Sequence, residues 1–159
     1  MKKLIAIIML AVLAVSLFAG CGSDGASDSS EVKLSSVLAK INEKYPDAVK
    51  GLTQLKEKSD LTRYYEIDEK YIEDFAAEII KDSSQASLEI VIVKTNKVDD
   101  VKSKLNLRYK AILSQYASYS ADQLKLAKAG GVKTSGDYVY LVVAENSKDI
   151  MNTIEEELG

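Results

Sequence analysis

Two segments of the chain consist almost wholly of apolar residues, and they limit its fold more than any other feature. Residues 88–93 contain five apolar residues around Glu89, and residues 138–143 contain six in succession. Both segments are rich in β-branched residues and predict strands that are apolar on both sides. A sheet with one hydrated face alternates apolar and polar residues instead. Either both faces of the predicted sheet are therefore covered, or one is an exposed apolar surface of the kind that marks an interaction site.

Elsewhere apolar residues recur every three or four positions, which predicts amphipathic helices. The predicted helices span residues 34–45, 49–55, 96–116, 120–129 and 146–158. The only proline, Pro46, should end the first of them. We expect the long helix and the last helix to cover one face of the sheet, and residues 34–58 to cover part of the other.

A hairpin is predicted near the end of the chain. Gly136-Asp137 should form its tight turn, between strands at 132–135 and 138–144. Antiparallel strands with helices set between them are typical of an α+β domain. We therefore expect a small antiparallel sheet of about four strands packed against helices.

Residues 72–80 fit two interpretations. Their apolar residues have the spacing of one helix face, with Asp68 as the N-cap. These residues are Ile72, Phe75, Ala76 and Ile79. A strand over the same residues fits the alternation less well, so periodicity alone favours a helix. Asp82-Ser83-Ser84-Gln85 should then form a turn.

The first twenty residues have the layout of a secretory signal peptide. Two lysines form a basic start, residues 4–18 are apolar or small with a single serine, and small residues precede Cys21. A membrane-spanning helix needs about 20 apolar residues and different flanks. The segment Leu17-Phe18-Ala19-Gly20-Cys21 resembles the lipobox of bacterial lipoproteins, although Phe18 stands where leucine is commoner.

The lipobox resemblance implies that Cys21 carries a diacylglycerol lipid and becomes the mature N-terminus. An ordinary signal peptide that happens to precede a cysteine is the alternative. Residues 22–30 contain only small or acidic residues and predict a flexible tether with a reach of about 15–18 Å. The predicted organisation is a signal peptide (1–20), a lipidated cysteine and tether (21–31), and one α+β domain (32–159). We expect this domain on the extracytoplasmic face of the cell membrane, held there by the lipid.

Composition excludes several kinds of chemistry. The chain has no histidine and no tryptophan, and its only cysteine is Cys21. Ser-His-Asp and Cys-His catalysis are therefore excluded, as are Cys/His zinc sites. No calcium-loop spacing occurs, and we expect no metal and no cofactor. A net charge of −3 also argues against a nucleic-acid partner, which requires clustered lysine and arginine.

Four segments together carry a family resemblance. They are Tyr64-Tyr65-Glu66-Ile67-Asp68, Leu88-Glu89-Ile90-Val91-Ile92-Val93-Lys94, residues 98–108, and Gly136-Asp137-Tyr138-Val139-Tyr140-Leu141-Val142-Val143. The chain thus resembles the domain of unknown function 4358 family, small lipoproteins of Gram-positive bacteria, over about residues 60–158. The resemblance implies that residues 72–80 form a strand paired with residues 88–94. It implies no catalytic residue, because the family has no established activity.

Glu89 is the most unusual residue of the predicted sheet, since it interrupts an apolar strand. It lies on the side of Val91 and Val93, and Arg108 in the long helix is its expected ion-pair partner, with Lys94 as second choice. One interpretation is a structural ion pair or an exposed strand carboxylate. The other is a polar anchor in a ligand groove.

Tyr138 and Tyr140 lie on one side of their strand and aliphatic residues on the other. If helices cover the aliphatic side, the two tyrosines share the opposite sheet face with Glu89. We therefore expect a candidate binding face that is at least partly exposed at its tyrosines. Its residues are Glu89, Val91, Val93, Tyr138 and Tyr140.

The expected function is that of a non-enzymatic, membrane-tethered binding or accessory module for a protein, a peptide or an envelope component. A small carboxylate-dependent envelope hydrolase is the alternative, and a purely structural spacer is a third. The acidic pairs that bear on a hydrolase are Asp68-Glu69, Glu73-Asp74 and Asp99-Asp100. Each is more simply a helix start or a hydrated face. A pocket that joins two carboxylates, at least one of them buried, would favour the hydrolase, whereas an open aromatic sheet face would favour binding.

Overall fold

The computed structural model describes residues 32–81 and 87–159. The predicted signal peptide, Cys21, the tether and the predicted turn at 82–85 lie outside these residues. The described part contains one five-stranded sheet in which every neighbouring pair is antiparallel. Its strands are β1 (Thr53–Leu55), β2 (Ile72–Ile79), β3 (Glu89–Thr95), β4 (Gly131–Ser135) and β5 (Tyr138–Val143), in the spatial order β1-β2-β3-β5-β4.

Five α-helices in the described part surround this sheet, which confirms the predicted α+β class. They are α1 (Leu34–Lys44), α2 (Lys58–Tyr65), α3 (Val98–Tyr119), α4 (Ala121–Ala129) and α5 (Ser147–Leu158). A 3₁₀ turn, Glu69–Tyr71, leads into β2. No helix in residues 32–81 and 87–159 combines the length and apolarity needed to cross a membrane.

The prediction of a helix over residues 49–55 was wrong. Part of this segment forms β1, so the sheet has five strands rather than the expected four or so. The chain turns after Tyr45 and passes through Gly51 at φ +85°, a backbone conformation that ends regular helix. Thr53–Leu55 then pairs with β2 as an edge strand. Three apolar residues in seven carried too little helical signal to outweigh this pairing.

Helix α2 begins in the charged segment 56–60, where no helix is predicted from the sequence. A capping box starts this helix. The side chain of Glu57 accepts a hydrogen bond from the backbone N–H of Asp60, and the side chain of Asp60 accepts one from the backbone N–H of Glu57 at 3.2 Å. This reciprocal arrangement satisfies two backbone donors that the helix itself leaves unpaired. The spacing of Glu57 and Asp60 is therefore the sequence signal for the start of this helix.

Residues 72–79 form a strand, so the family resemblance was right and the periodicity was wrong. Phe75 lies opposite Val93 and Ala77 opposite Val91 in the antiparallel register of β2 and β3. The register shifts between Ile72 and Asp74, which marks an irregularity in the strand. That irregularity, together with burial on both faces, removes the simple alternation by which a strand is recognised.

Helices cover both faces of the sheet, so the first of the two alternatives for its apolar strands is correct. Helices α2, α3 and α4 pack on one face, called here the α3 face, and α1 and α5 pack on the other, called the α5 face. The expectation that the long and last helices share a face was wrong. Both sides of β3 and β5 are equally apolar, so the amphipathic pattern of a helix cannot say which side it covers.

Candidate functional site

The predicted binding face does not exist as one surface. In the register of β3 and β5, Val93 lies opposite Val139, so these two residues share the α3 face with Glu89. Tyr138 and Tyr140 point the other way, onto the α5 face. Alternation within a strand shows which residues share a side, whereas the register between strands decides which sides coincide. The sequence contained the first kind of information only.

Tyr140 is a core residue, contrary to the prediction of partial exposure. Its side chain is 0% exposed, and its hydroxyl donates to Oε1 of Glu155 at 2.7 Å. Burial, with the nearby Glu155 carboxylate, raises the pKa of the Tyr140 hydroxyl. Tyr138 is half-buried beside it, and Val91 and Val93 are fully buried in the opposite layer. An exposed aromatic sheet face is therefore excluded.

Glu89 and Arg108 do meet, inside the α3 face. Nε of Arg108 donates to both carboxylate oxygens of Glu89 at 3.1 Å, and Nη2 donates to Oε2 at 2.9 Å. Glu89 is 1% exposed, whereas the side chain of Arg108 is 35% exposed. Burial raises the pKa of Glu89, and the hydrogen bonds and charge of Arg108 oppose that effect. The pair thus joins a core carboxylate to a surface guanidinium.

Tyr65, at the end of α2, completes this cluster, and sequence reasoning missed it. Its side chain is buried, and its hydroxyl lies beside Glu89 without a hydrogen bond of ordinary geometry. Burial first, and then the Glu89 carboxylate, raise the pKa of this hydroxyl well above its usual range. A buried polar atom without a partner is uncommon in folded proteins and calls for an explanation.

Three concavities that share Glu66 lie along the outer side of this cluster, two of them against α3 and one beside α2 and the following turn. We call them together the α2–α3 groove. The first, the arginine pocket, has a volume of about 220 Å³ and is lined by Tyr64, Tyr65, Glu66, Lys104, Leu107 and Arg108. The second has the same volume and is lined by Glu66, Ile67, Asp68, Tyr71, Asp100, Val101, Ser103 and Lys104. The third, of about 450 Å³, is lined by Thr62, Glu66, Asp68 and Glu69.

Glu66 lines all three concavities and has an unusual backbone. Its φ of 56° and ψ of 30° place it in the left-handed region, at the residue that ends α2. Glycine normally occupies this position, because a side chain there costs about 1 kcal/mol. Its carboxylate accepts from Nζ of Lys104 at 3.0 Å, across the groove. Residues held in such conformations cluster at functional sites, so Glu66 draws attention to the groove.

The described residues offer no evident metal centre. Within 32–81 and 87–159, no group of three or more aspartate, glutamate, histidine or cysteine side chains is placed to hold an ion. The acidic pairs named from the sequence are separated: Asp68 pairs with Lys70 at 2.6 Å, and Asp74 accepts from the backbone of Leu34 at 3.2 Å. Asp99 and Asp100 are exposed in the first turn of α3.

Sequence reasoning found Glu89 and Arg108 but missed most of the groove around them. Two signals were present: Lys104 stands one helical turn before Arg108, and Leu107 is a large apolar residue off the buried stripe of α3. Leu107 is 57% exposed in the structure. A basic pair at this spacing beside an exposed leucine could have indicated a surface pocket on α3.

Comparisons with known proteins give one positive result. A family model described as Domain of unknown function (DUF4358) matches residues 47–144. The match spans β1 to β5 and contains every residue that lines the α2–α3 groove. Neither the curated proteins nor the solved structures include a significant match to the chain.

Proposed function

The chain belongs to the DUF4358 family, and we propose that it is a membrane-anchored extracytoplasmic lipoprotein. In this proposal the folded domain is a non-enzymatic binding or accessory module, and the α2–α3 groove is its binding surface. The lipid at Cys21 keeps the domain at the membrane, and the domain presents the groove to a partner or ligand in the cell envelope.

The anchor is supported by the sequence of the first 21 residues. A basic start, an apolar segment and small residues precede the only cysteine of the chain. A diacylglycerol group supplies two acyl chains, and stable attachment requires two membrane signals. Anchoring therefore needs no spanning helix in the folded domain.

The binding role is supported by one observation above all: the strained residue Glu66 lies where three concavities meet. The buried carboxylate of the α3 face supports binding over hydrolysis. Glu89 is held by three hydrogen bonds from Arg108, which leaves it poorly placed to transfer a proton to a substrate. The carboxylates that line the groove are those of exposed residues: Glu66, Asp68, Glu69 and Asp100.

The anchor is tested by changing the one residue that can be acylated. Cys21→Ser should move the protein from the membrane fraction to the medium, or leave an uncleaved precursor. Ser23→Ala, two residues later, is the matched control and should remain in the membrane fraction. Normal processing and membrane retention of Cys21→Ser would exclude the lipid anchor.

The binding surface is tested by crosslinking on intact cells from two positions of α3. A photoreactive residue at Leu107 samples the groove, and one at Tyr119, which is 83% exposed on the same helix, samples a surface outside it. We expect a discrete crosslinked species from position 107 and none from position 119. Equal capture from both positions, or capture from 119 alone, would exclude the groove as the binding surface.

A further inference from the structure

Within the described residues, Arg108 uses only one edge of its guanidinium group. Nε and Nη2 donate to Glu89, which occupies the side of the group that faces the core. Nη1 and the second N–H of Nη2 make no hydrogen bond within residues 32–81 and 87–159. These donors form the outer edge of the guanidinium, and Arg108 lines the arginine pocket. A guanidinium edge of this kind binds the two oxygens of a carboxylate or a phosphate in parallel.

Glu89 fixes the orientation of that edge. A free arginine side chain loses much conformational freedom when it binds a ligand, which weakens binding. Here the guanidinium donates three hydrogen bonds to the fully buried carboxylate of Glu89, and these hold it in place before any ligand arrives. Glu89 is thus a positioning residue for Arg108. Their ion pair is a contact of the core, and it also holds the outer N–H groups of Arg108 in the orientation that a ligand requires.

Lys104 supplies a second cation at the same pocket. It lies one helical turn before Arg108 and pairs with Glu66, whose side chain is 80% exposed. An ion pair this exposed contributes little, about 0–1 kcal/mol, so Lys104 can exchange Glu66 for a ligand oxygen at small cost. The charged residues that line the arginine pocket are thus two basic ones, Lys104 and Arg108, and one acidic one, Glu66.

The remaining walls of the pocket are aromatic and apolar. Tyr64 and Leu107 line its outer part, and Tyr65, with its unpartnered hydroxyl, lines its inner part. A volume of about 220 Å³ is below the roughly 300–1,000 Å³ of sites for drug-sized ligands. The pocket therefore suits a small molecule, or one end of a larger one, that joins an apolar group to an oxyanion.

We propose that the arginine pocket is an oxyanion-binding site, in which Arg108 and Lys104 hold the carboxylate or phosphate of a small ligand whose apolar part contacts Tyr64 and Leu107. This assignment deepens the proposed binding function and rests on it, but it does not depend on the membrane anchor. The ligand oxygens accept hydrogen bonds from the outer edge of Arg108 and from Nζ of Lys104.

The test is a ligand titration of the full-length protein in detergent micelles. It is monitored through the NMR chemical shifts of the backbone amides at 63–67 and 104–108. Three probes share one ring: phenylacetate, phenyl phosphate and neutral phenylacetamide. We expect saturable shifts with one or both anions, with a dissociation constant of about 1 mM, and none with the amide. The tighter anion identifies a carboxylate or a phosphate ligand as the natural class.

Variants at Leu107 test the charge requirement without touching the buried pair. Because Leu107 is exposed at the pocket, Leu107→Glu should weaken anion binding about threefold and Leu107→Lys should tighten it about threefold. Tyr119→Glu and Tyr119→Lys on the same helix are the controls and should change it little. Arg108→Lys, which keeps the charge but loses the fork, should weaken binding about tenfold or more.

Absence of saturable shifts for both anions would overturn the oxyanion site. Equal binding of the neutral amide, or anion binding unchanged by both Leu107→Glu and Arg108→Lys, would overturn it as well. If the anions fail to bind while crosslinking from position 107 still captures a partner, the oxyanion site is wrong and the proposed binding function stands. If anions bind but Cys21→Ser stays in the membrane fraction with normal processing, only the anchor is wrong.

Discussion

The two faces of the sheet share the same strands but place their charges in opposite ways. On the α5 face, the core side chain Tyr140 extends outward, and its hydroxyl meets Glu155, which also pairs with Lys133 at 2.8 Å. On the α3 face, the charge itself lies in the core at Glu89, and Arg108 reaches it from the groove. Water can replace Lys133 beside Glu155, whereas Arg108 is the cation that pairs with the buried Glu89. The α3 face therefore links core stability to a residue that a ligand can contact.

The largest effect is expected on the α5 face, at Tyr140. Tyr140→Ser removes a fully buried ring and should lower the free energy of unfolding by about 3–5 kcal/mol. Urea denaturation at neutral pH measures the change. Tyr138→Ser, at a half-buried position of the same strand, should cost about 1 kcal/mol. If Tyr140→Ser costs no more than Tyr138→Ser, the α5 face is not packed as described.

A smaller loss is expected on the α3 face when the ion pair is broken from its exposed side. Arg108→Ala leaves Glu89 buried without its partner and should lower the free energy of unfolding by about 2–3 kcal/mol. This is less than the loss for a fully buried pair, because Arg108 is partly exposed. The double variant Arg108→Met with Glu89→Met removes both charges and keeps apolar volume, so it should recover most of that loss. Equal unfolding midpoints for the single and double variants would show that the charge on Glu89 is not what Arg108 offsets.

The fold was largely predictable because its main elements carry local signals. Strong apolar runs gave β3 and β5, clear amphipathic stripes gave α1, α3 and α5, and the glycine turn gave the β4–β5 hairpin. The errors about strands came where pairing between distant segments decides the structure. β1 exists only because β2 lies beside it, and the strand at β2 was predicted from the family resemblance rather than from its own periodicity.

The candidate site was predictable only in part, for a related reason. Glu89 is visible in the sequence as a charge within an apolar strand, and Arg108 follows as a basic residue of the next helix. Tyr65 and Glu66 come from an element whose position on the α3 face depends on packing at long range. The sequence also could not show that Tyr140 lies opposite Ile92 on the other face, since only the strand register determines it.

The two faces should also respond to pH with opposite signs. Burial raises the pKa of Glu89 above its ordinary value of 4.5, so the folded state binds this proton more tightly than the unfolded state does. Its contribution is then most favourable below pH 4.5 and is lost as the pH rises through the folded-state pKa. Lys133 and Tyr140 lower the pKa of Glu155, so its contribution is present above pH 4.5 and is lost as the pH falls.

Single glutamine variants separate these two contributions. Relative to the unchanged protein, Glu89→Gln should gain stability as the pH rises above 4.5, and Glu155→Gln should gain it as the pH falls below 4.5. Urea unfolding midpoints across this pH range measure both changes. They should be smaller than the effects of Tyr140→Ser and Arg108→Ala, because Arg108 offsets part of the effect of burial on Glu89 and solvent screens the charge of Glu155. The same pH dependence in both variants would contradict the difference between the faces.

The smallest expected effect concerns two residues that share a left-handed backbone, Glu66 at the groove and Asn146 before α5, both with φ 56°. Asparagine tolerates this conformation far better than glutamate, so Asn146→Gly should change the free energy of unfolding by about 0.3 kcal/mol or less.

Glu66→Gly should raise the free energy of unfolding by about 0.5–1 kcal/mol. The reason is that relief of backbone strain exceeds both the added freedom of the unfolded chain and the loss of an exposed pair with Lys104. Glu66→Gln removes the charge but keeps the strain, and should gain nothing. A stabilising Glu66→Gly that also changes capture from position 107 means that glutamate is kept at the groove for binding rather than for folding. If instead the two glycine variants gain equally, the backbone at Glu66 is no guide to the binding surface.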